Sequence, residues 1–353
     1  MILSGHAKMI TERFQFKYPI IQAPMAGITT AEMVAQACEI GILGSLGAGM
    51  LEPSAIKSTV EKIRQLTNKP FNINLFIIND HPKHDWDKLD IEKLQKLHTS
   101  LNLPPLELPT KFAPKFSEQF DVLLQLRPEI ASFTFGILNK QQITNLHEQG
   151  CFVIGTATTV QEALAWEAIG ADAICLQGVE AGGHRGMFLK SEDRGMALLP
   201  LLIETKAKVK LPLIAAGGIM TGQTIAALQS IGADMVQLGT AFLFCDEANL
   251  SPAYRNKLLS SSGHDTKLTQ TFSGKLARGI ENQFMRELAN NETVPIYPIQ
   301  NALSGPIRKW AKEQNNAEFM SLWAGQGVGM GRPLSMQKLV STLVDEWYKS
   351  KSI

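Results

Sequence analysis

Apolar residues in this chain gather into short unbroken runs instead of alternating with polar ones. Eight runs recur: "PIIQA" (19–23), "GILGSLG" (41–47), "FNINLF" (71–76), "ASFTFG" (131–136), "CFVIGTA" (151–157), "DAICLQG" (172–178), "LPLIAAGG" (211–218) and "DMVQLGT" (234–240). Strands buried on both faces read this way, because neither face needs polar residues. Between the runs the apolar spacing changes to that of a helix. In "TTAEMVAQACEIG", Met33, Val34, Ala37 and Cys38 share one helical face, and in "TVQEALAWEAIG", Thr159 and Glu162 stand at capping-box spacing. "AIGADAICLQG" (168–178) and "SIGADMVQLGT" (230–240) echo each other: a helix end, a Gly stop, an Ala-Asp turn and a strand. Whether this is a repeat or only shared turn chemistry, both support a βα unit. Eight such units predict an α/β fold of the (β/α)8 TIM-type barrel class.

Two segments break the rhythm. Residues 77–128 hold "NDHPKHDWD" and "NLPPLELPTKFAP" and are too long for one crossover, so they are expected to form an insertion between strands three and four. Residues 250–334 are expected to form an added, mainly helical subdomain over the barrel mouth. The barrel then spans 1–249, and 335–353 supplies a C-terminal helix that packs on it.

Composition narrows the partners. Of 353 residues, 44% are hydrophobic and 19% charged, enough for a sizeable core, and 34 basic against 33 acidic residues leave a net charge of +1. No basic run suggests a nucleic-acid footprint. Cys38, Cys151, Cys175 and Cys245 form no C-x-x-C pair and read as reduced core thiols. No apolar stretch is long enough to span a membrane, and "MILSGHAKMITERF" lacks the regions of a signal peptide. A soluble cytoplasmic protein is expected, with no membrane or nucleic-acid partner, as a monomer or homodimer.

Barrel chemistry gathers where strands end. Strand seven exits as "AAGGIMTG" and strand eight as "QLGT", so Gly217, Gly218, Gly239 and Thr240 can present backbone N–H groups at helix N-termini to a phosphate. Amide side chains end four strands: Gln22, Asn74, Gln177 and Gln237. One such amide reads as a satisfied core group, whereas four suit the alternating donor and acceptor edge of a flavin ring. His184 follows Gly182 and Gly183, which let the backbone bend close to a cofactor, and an imidazole can take or share a substrate proton. Arg185 either attracts an anionic substrate or pairs with Glu180 or Asp193. His81 and His84 have H-x-x-H spacing, but no further ligand cluster accompanies them, so no metal site is expected.

Together "PIIQAPMAG", "GSLGAG", "FNINLF", "CLQGVEAGGHRG", "PLIAAGGIMTG", "VQLGTAF", "SGKLARG", "YPIQN" and "LWAGQG" resemble the FMN-dependent nitronate monooxygenases, formerly called 2-nitropropane dioxygenases, from about residue 10 to 330. The resemblance implies a barrel holding FMN non-covalently and oxidising alkyl nitronates with O2 to a carbonyl compound and nitrite, through one-electron transfer to flavin. It places flavin contacts on Met25, Asn74, Gln177, Gly182, Gly183, Gly217, Gly218, Gln237, Leu238, Gly239 and Thr240. It makes His184 the active-site histidine, hydrogen-bonding the nitro oxygens or abstracting the α proton of a neutral nitroalkane. Gln22, Tyr297 and Asn301 fall to the substrate pocket; Asn301 stands where some relatives carry an aromatic residue or His. Lys275 and Arg278 of "SGKLARG" either line the flavin phosphate or tie the subdomain to the barrel.

FMN-dependent enoyl-ACP reductases and quinone reductases, which use NAD(P)H, share an "EAGGH" strand end, so the same barrel could serve a reductase. The segment 250–335 and "LWAGQG" favour the oxygenase. A non-catalytic flavin or phosphate-ligand binder would not need His184, and a sugar-phosphate barrel would want a carboxylate or Cys at the strand ends, where only Glu180 stands.

Overall fold

A computed structural model describes residues 3–78, 91–189, 194–289 and 294–350. All eight apolar runs become parallel strands: β1 (Ile20–Gln22), β2 (Ser45–Gly47), β3 (Asn72–Phe76), β4 (Ile130–Thr134), β5 (Phe152–Ala157), β6 (Ala173–Gln177), β8 (Leu213–Ala216) and β9 (Met235–Leu238). A two-residue strand, β7 (Gly183–His184), lies outside the barrel. Barrel strands neighbour one another in the order β1-β9-β8-β6-β5-β4-β3-β2, and a parallel bridge between Ile21 and Leu43 brings the two edges together. The eight-stranded TIM-type barrel read from the sequence is therefore observed.

The echoed Ala-Asp turns have a shared physical purpose. Asp172 accepts the Val153 N–H at 2.7 Å, and Asp234 accepts the Leu213 N–H at 2.9 Å. Each backbone N–H returns to the same partner's carbonyl, Asp172 to Val153 and Asp234 to Leu213. Each turn thus pins a strand to its neighbour at the start of the pair. Helix Ala31–Ile40 buries the face expected of it, with Thr30 capping Met33 N–H at 3.2 Å. Thr159 caps helix Val160–Ile169 through Glu162 N–H, but the return half of the expected capping box differs. The buried Glu162 carboxylate takes Thr158 N–H and hydroxyl on one oxygen and the N–H groups of Phe188 and Leu189 on the other.

The barrel floor is closed by helix Gly5–Phe14. Its Ile10 and Phe14, with Phe16, join Ile21, Leu43, Phe152, Ile154, Cys175, Ile214 and Met235 in an apolar cluster of their own, separate from the main core between strands and helices. Within the expected insertion the described residues form helices Glu92–Ser100 and Phe116–Leu126, and the second packs on helix Pro53–Leu66 and on β3 as an ordinary crossover helix. Helix Met336–Ser350 packs against helix Gly222–Ser230, where a Cβ on Gly222 would sit 2.2 Å from the Leu343 carbonyl.

Between these lies the added segment. It carries helices Pro252–Ser260, Gln283–Leu288, Ile299–Leu303 and Gly305–Glu313, and also two strands, β10 (Thr266–Thr269) and β11 (Ala277–Ile280). The order β10-β11-β7 makes a small antiparallel sheet with Ala277 opposite His184 and Arg278 opposite Gly183. Among the described residues no helix is long and apolar enough to cross a membrane. All four cysteines are free and buried, and burial raises the Cys38 thiol pKa to about 11 and those of Cys151, Cys175 and Cys245 to about 12.

Candidate active site

A cavity of about 700 Å³ opens at the carboxyl ends of the barrel strands, beneath the added segment. Its lining contains Met25, Asn74, Gln177, Gly182, Gly183, His184, Gly217, Gly218, Gln237, Leu238, Gly239, Thr240, Tyr297 and Asn301. The residues singled out in the sequence therefore converge, with one correction. Gln22 is fully buried in the barrel wall and does not line the cavity. Its amide donates to the Ala23 carbonyl and accepts the Ser45 N–H at 3.1 Å, so it fastens β1 to β2.

The two glycine exits form a backbone cradle. Gly217 and Gly218 have φ of +128° and +67°, a region an L side chain rarely adopts. The N–H groups of Gly218, Ile219, Gly239 and Thr240 donate to no protein carbonyl among the described residues. Gly239 caps the short helix Thr240–Leu243, so unspent donors point where an anion is favoured. Around the cavity stand Arg308, Lys309 and Lys312, with no Asp or Glu among the described lining residues.

The amides divide their work. Gln237 makes no side-chain hydrogen bond among the described residues and faces the cavity. Asn74 donates to the Ser132 hydroxyl and carbonyl at 2.9 and 3.2 Å. Gln177 holds the loop that follows it, donating to the His184 carbonyl at 2.9 Å and accepting the Gly186 N–H at 2.8 Å. Arg185, fully buried, donates to the Gln177 and Gly178 carbonyls at 3.1 and 2.7 Å, so it braces the strand end and is not among the cavity-lining residues. Glu180 accepts the Leu198 N–H with both oxygens, at 3.0 and 3.1 Å, and caps the helix that starts there. Asp193, His81 and His84 lie outside the described residues.

His184 sits among three aromatic rings, with centroids 5.8 Å from Phe135, 5.6 Å from Tyr297 and 5.3 Å from Trp323. Its Nε2 lies 2.8 Å from the Ser273 hydroxyl. Burial, then the charges of Lys275 and Arg308, push its pKa down to about 3, so the imidazole is neutral at neutral pH. Burial raises the Tyr297 phenol. Burial also lowers the Arg308 pKa, to about 10, which leaves the guanidinium charged.

"LWAGQG" and "SGKLARG" are explained by contacts. The Gln326 N–H meets the Glu180 carbonyl and the Gly325 N–H meets the Thr240 hydroxyl, both at 2.9 Å. A Cβ on Gly182 would lie 2.5 Å from Gly325 N, so that glycine is required by the approach of the added segment. Arg278 donates to the Val179 carbonyl at 2.9 Å and the Thr266 hydroxyl at 3.2 Å, which ties segment to barrel. Lys275 donates to the Met187 carbonyl at 3.1 Å and lies 4.8 Å over the Phe135 ring. Ser273, Phe135, Trp323 and Arg308 were not singled out in the sequence. Phe135 had a signal, since it leaves a barrel strand; the others come from a segment whose pairing is set in three dimensions.

A family model described as nitronate monooxygenase matches residues 7–346. The chain belongs to the nitronate monooxygenase family. It is similar to a probable nitronate monooxygenase of Bacillus subtilis (strain 168), 38% identical over 95% of this chain and 97% of that one. A probable nitronate monooxygenase of Staphylococcus aureus (strain MRSA252) is 37% identical over 96% of each. Among solved structures, a nitroalkane oxidase from Streptomyces ansochromogenes superposes with a TM-score of 0.91 at 36% identity, over 97% of this chain and 99% of that one. FabK from Thermotoga maritima has the same fold, with a TM-score of 0.77 at 24% identity over 98% and 97% of the two chains. Since FabK aligns with 98% of this chain, the length of the added segment does not separate the two members of the fold. As a nitronate monooxygenase family member the protein is an oxidoreductase enzyme.

Proposed function

We propose that the protein binds FMN and uses it to oxidise alkyl nitronates such as propionate 3-nitronate with O2, giving a carbonyl compound and nitrite. The observation that carries this reading is a neutral imidazole facing a cavity that has an unspent backbone cradle and, among the described residues, no carboxylate in its lining. Residues 1–249 form the flavin-binding barrel on this reading, 250–334 the cover, and 335–353 the closing helix. The four reduced thiols agree with a cytoplasmic location.

The residues fit the cofactor. The N–H groups of Gly218, Ile219, Gly239 and Thr240 would hold the phosphate, while Asn74, Gln177 and Gln237 would face the ring with amides that add no fixed charge. Bound FMN supplies the electron acceptor and the reactivity toward O2. The protein's own residues bring the anionic substrate in and keep water out. Arg308, Lys309 and Lys312 attract an anionic nitronate, and the rings of Phe135, Tyr297 and Trp323 exclude water around His184. His184 contacts the nitro group or takes a proton from carbon at one ring nitrogen, its other nitrogen being held by Ser273.

The test is to purify the protein, record its visible spectrum, and mix it without oxygen with propionate 3-nitronate, NADH and NADPH in turn. A flavin spectrum that changes rapidly with the nitronate and hardly with either nicotinamide is expected. Fast bleaching by NADH or NADPH without any response to nitronate would make the protein a reductase and overturn the reading.

A further inference from the structure

Resting on that reading, we infer that Arg308 is the specificity-determining residue of the site: its guanidinium takes a carboxylate carried at the far end of the substrate, so nitronates with that second charge are preferred to plain alkyl nitronates. Arg308 stands on helix Gly305–Glu313 of the added segment and lines the cavity half-buried. Its protein contacts use only part of the guanidinium. Nε donates to the Ser304 hydroxyl at 3.1 Å, and Nη2 donates to the Asn301 carbonyl at 2.5 Å and to the Asn301 side-chain oxygen at 3.1 Å. Arginine has five N–H groups in a fixed fork. The two on Nη1 meet no protein acceptor among the described residues, and no Asp or Glu among the described residues lines the cavity beside them.

The fork is set before any ligand arrives. Ser304 is fully buried, and its hydroxyl spends its own proton on the Phe272 carbonyl at 2.5 Å, which leaves its oxygen to accept from Arg308. A side chain held in this way has little rotamer freedom left to lose on binding. Lys309 and Lys312 share the cavity, but both are exposed, and Lys309 has Glu313 4.0 Å away, so solvent and a counter-charge weaken their pull. Arg308 is more enclosed. Burial lowers its pKa only to about 10, so it stays charged at neutral pH in a place where salt screens it less.

Its surroundings set Arg308 apart from the phosphate cradle. The Arg308 charge is felt by His184 and by Tyr297, whose ring centroids lie 5.6 Å apart. The cradle is built instead from the exits of β8 and β9. With the nitronate group of a short substrate at His184, the other end of the chain is what Arg308 reads. A methyl group there would bury the Nη1 donors without a partner, whereas a carboxylate, which only accepts, satisfies them. Propionate 3-nitronate carries that carboxylate. Propyl-1-nitronate is the same chain with a methyl in its place.

The test uses the flavin-loaded full-length protein as wild type, Arg308→Met and Arg308→Lys, with the two nitronates compared in steady-state turnover. In Arg308→Met, kcat/KM should fall roughly 10- to 100-fold further for propionate 3-nitronate than for propyl-1-nitronate, through KM more than kcat, the loss of a hydrogen bond to a charged group. Arg308→Lys, which keeps the charge without the fork, should recover part of the preference. Succinate has the shape of propionate 3-nitronate and no nitro group to react, so calorimetry with succinate reads binding alone; its dissociation constant should rise by a similar factor in Arg308→Met. Equal losses on the two nitronates would overturn the inference, since Arg308 would then hold the nitronate group itself. Succinate binding untouched by Arg308→Met would also sink it, as would loss of flavin from both variants, which would give Arg308 to the cofactor phosphate. If succinate binds through Arg308 yet neither nitronate is oxidised, the carboxylate anchor stands and the proposed reaction falls.

Discussion

Replacing Gly274 by alanine should break the turn that carries Ser273, and the structure allows the cost to be divided. Gly274 has φ of +79°, where a Cβ costs about 1–2 kcal/mol. That Cβ would also lie 2.0 Å from the Pro295 carbonyl oxygen and 2.6 Å from the Tyr297 nitrogen, both main-chain atoms that cannot rotate away. Overpacking of this kind adds roughly 1–3 kcal/mol, so the total is about 2–5 kcal/mol. Gly150 is the control: its φ is +78°, and nothing lies within 4 Å of the place a Cβ would take, so alanine there carries the backbone strain alone. Thermal unfolding of the two variants isolates the overlap. Gly274→Ala should melt several degrees below Gly150→Ala, since about 1 kcal/mol shifts the midpoint of a chain this long by roughly 2 °C. It should also lose turnover, because relief of the clash moves either Ser273 or Tyr297. A midpoint for Gly274→Ala no lower than that of Gly150→Ala, with turnover intact, would refute the close approach.

Gln22→Leu should lower stability by roughly 1–3 kcal/mol in urea unfolding, because it strands the buried Ser45 N–H, and should leave KM unchanged. A raised KM at unchanged stability would return Gln22 to the substrate pocket. His184 gives a pH prediction. Its pKa falls from 6.5 to about 3 on folding, so the unfolded chain binds more protons between those values and stability drops as pH falls through that window. The full shift would remove about 2 kcal/mol by pH 5, and partial exposure to solvent reduces this to about 1 kcal/mol. Urea unfolding of wild type and His184→Gln at pH 7 and pH 5 should show the wild type losing that margin relative to the variant; a difference independent of pH would refute it.

The barrel was legible in the sequence because strands buried on both faces leave an unbroken apolar run, and because each strand end carries its own chemistry locally. The glycine cradle, Asn74, Gln237 and His184 needed only that rule. Gln22 misled for the same reason: an amide that ends a strand looks alike whether it faces a ligand or its neighbour's backbone, and only the register of β1 against β2 distinguishes them. Strand β7 was invisible because two residues have no period, and they are extended only through β11, some ninety positions later. Ser273 and Trp323 were hidden by the same distance, since nothing near them in the chain announces a histidine.

That small sheet has a consequence for how the enzyme comes into being. A chain growing from its N-terminus tends to fold its earlier parts first. The strands and glycines of the barrel are synthesised well before residues 266–280 emerge to pair with the His184 backbone. Until they do, the loop bearing the imidazole has no outer edge to hold it, and its ring has neither Ser273 nor Trp323 beside it. An interrupted or clipped product would therefore keep the glycine exits of β8 and β9 without the contacts that hold His184 over the cavity, so the setting of that imidazole is the last part of the candidate site to form.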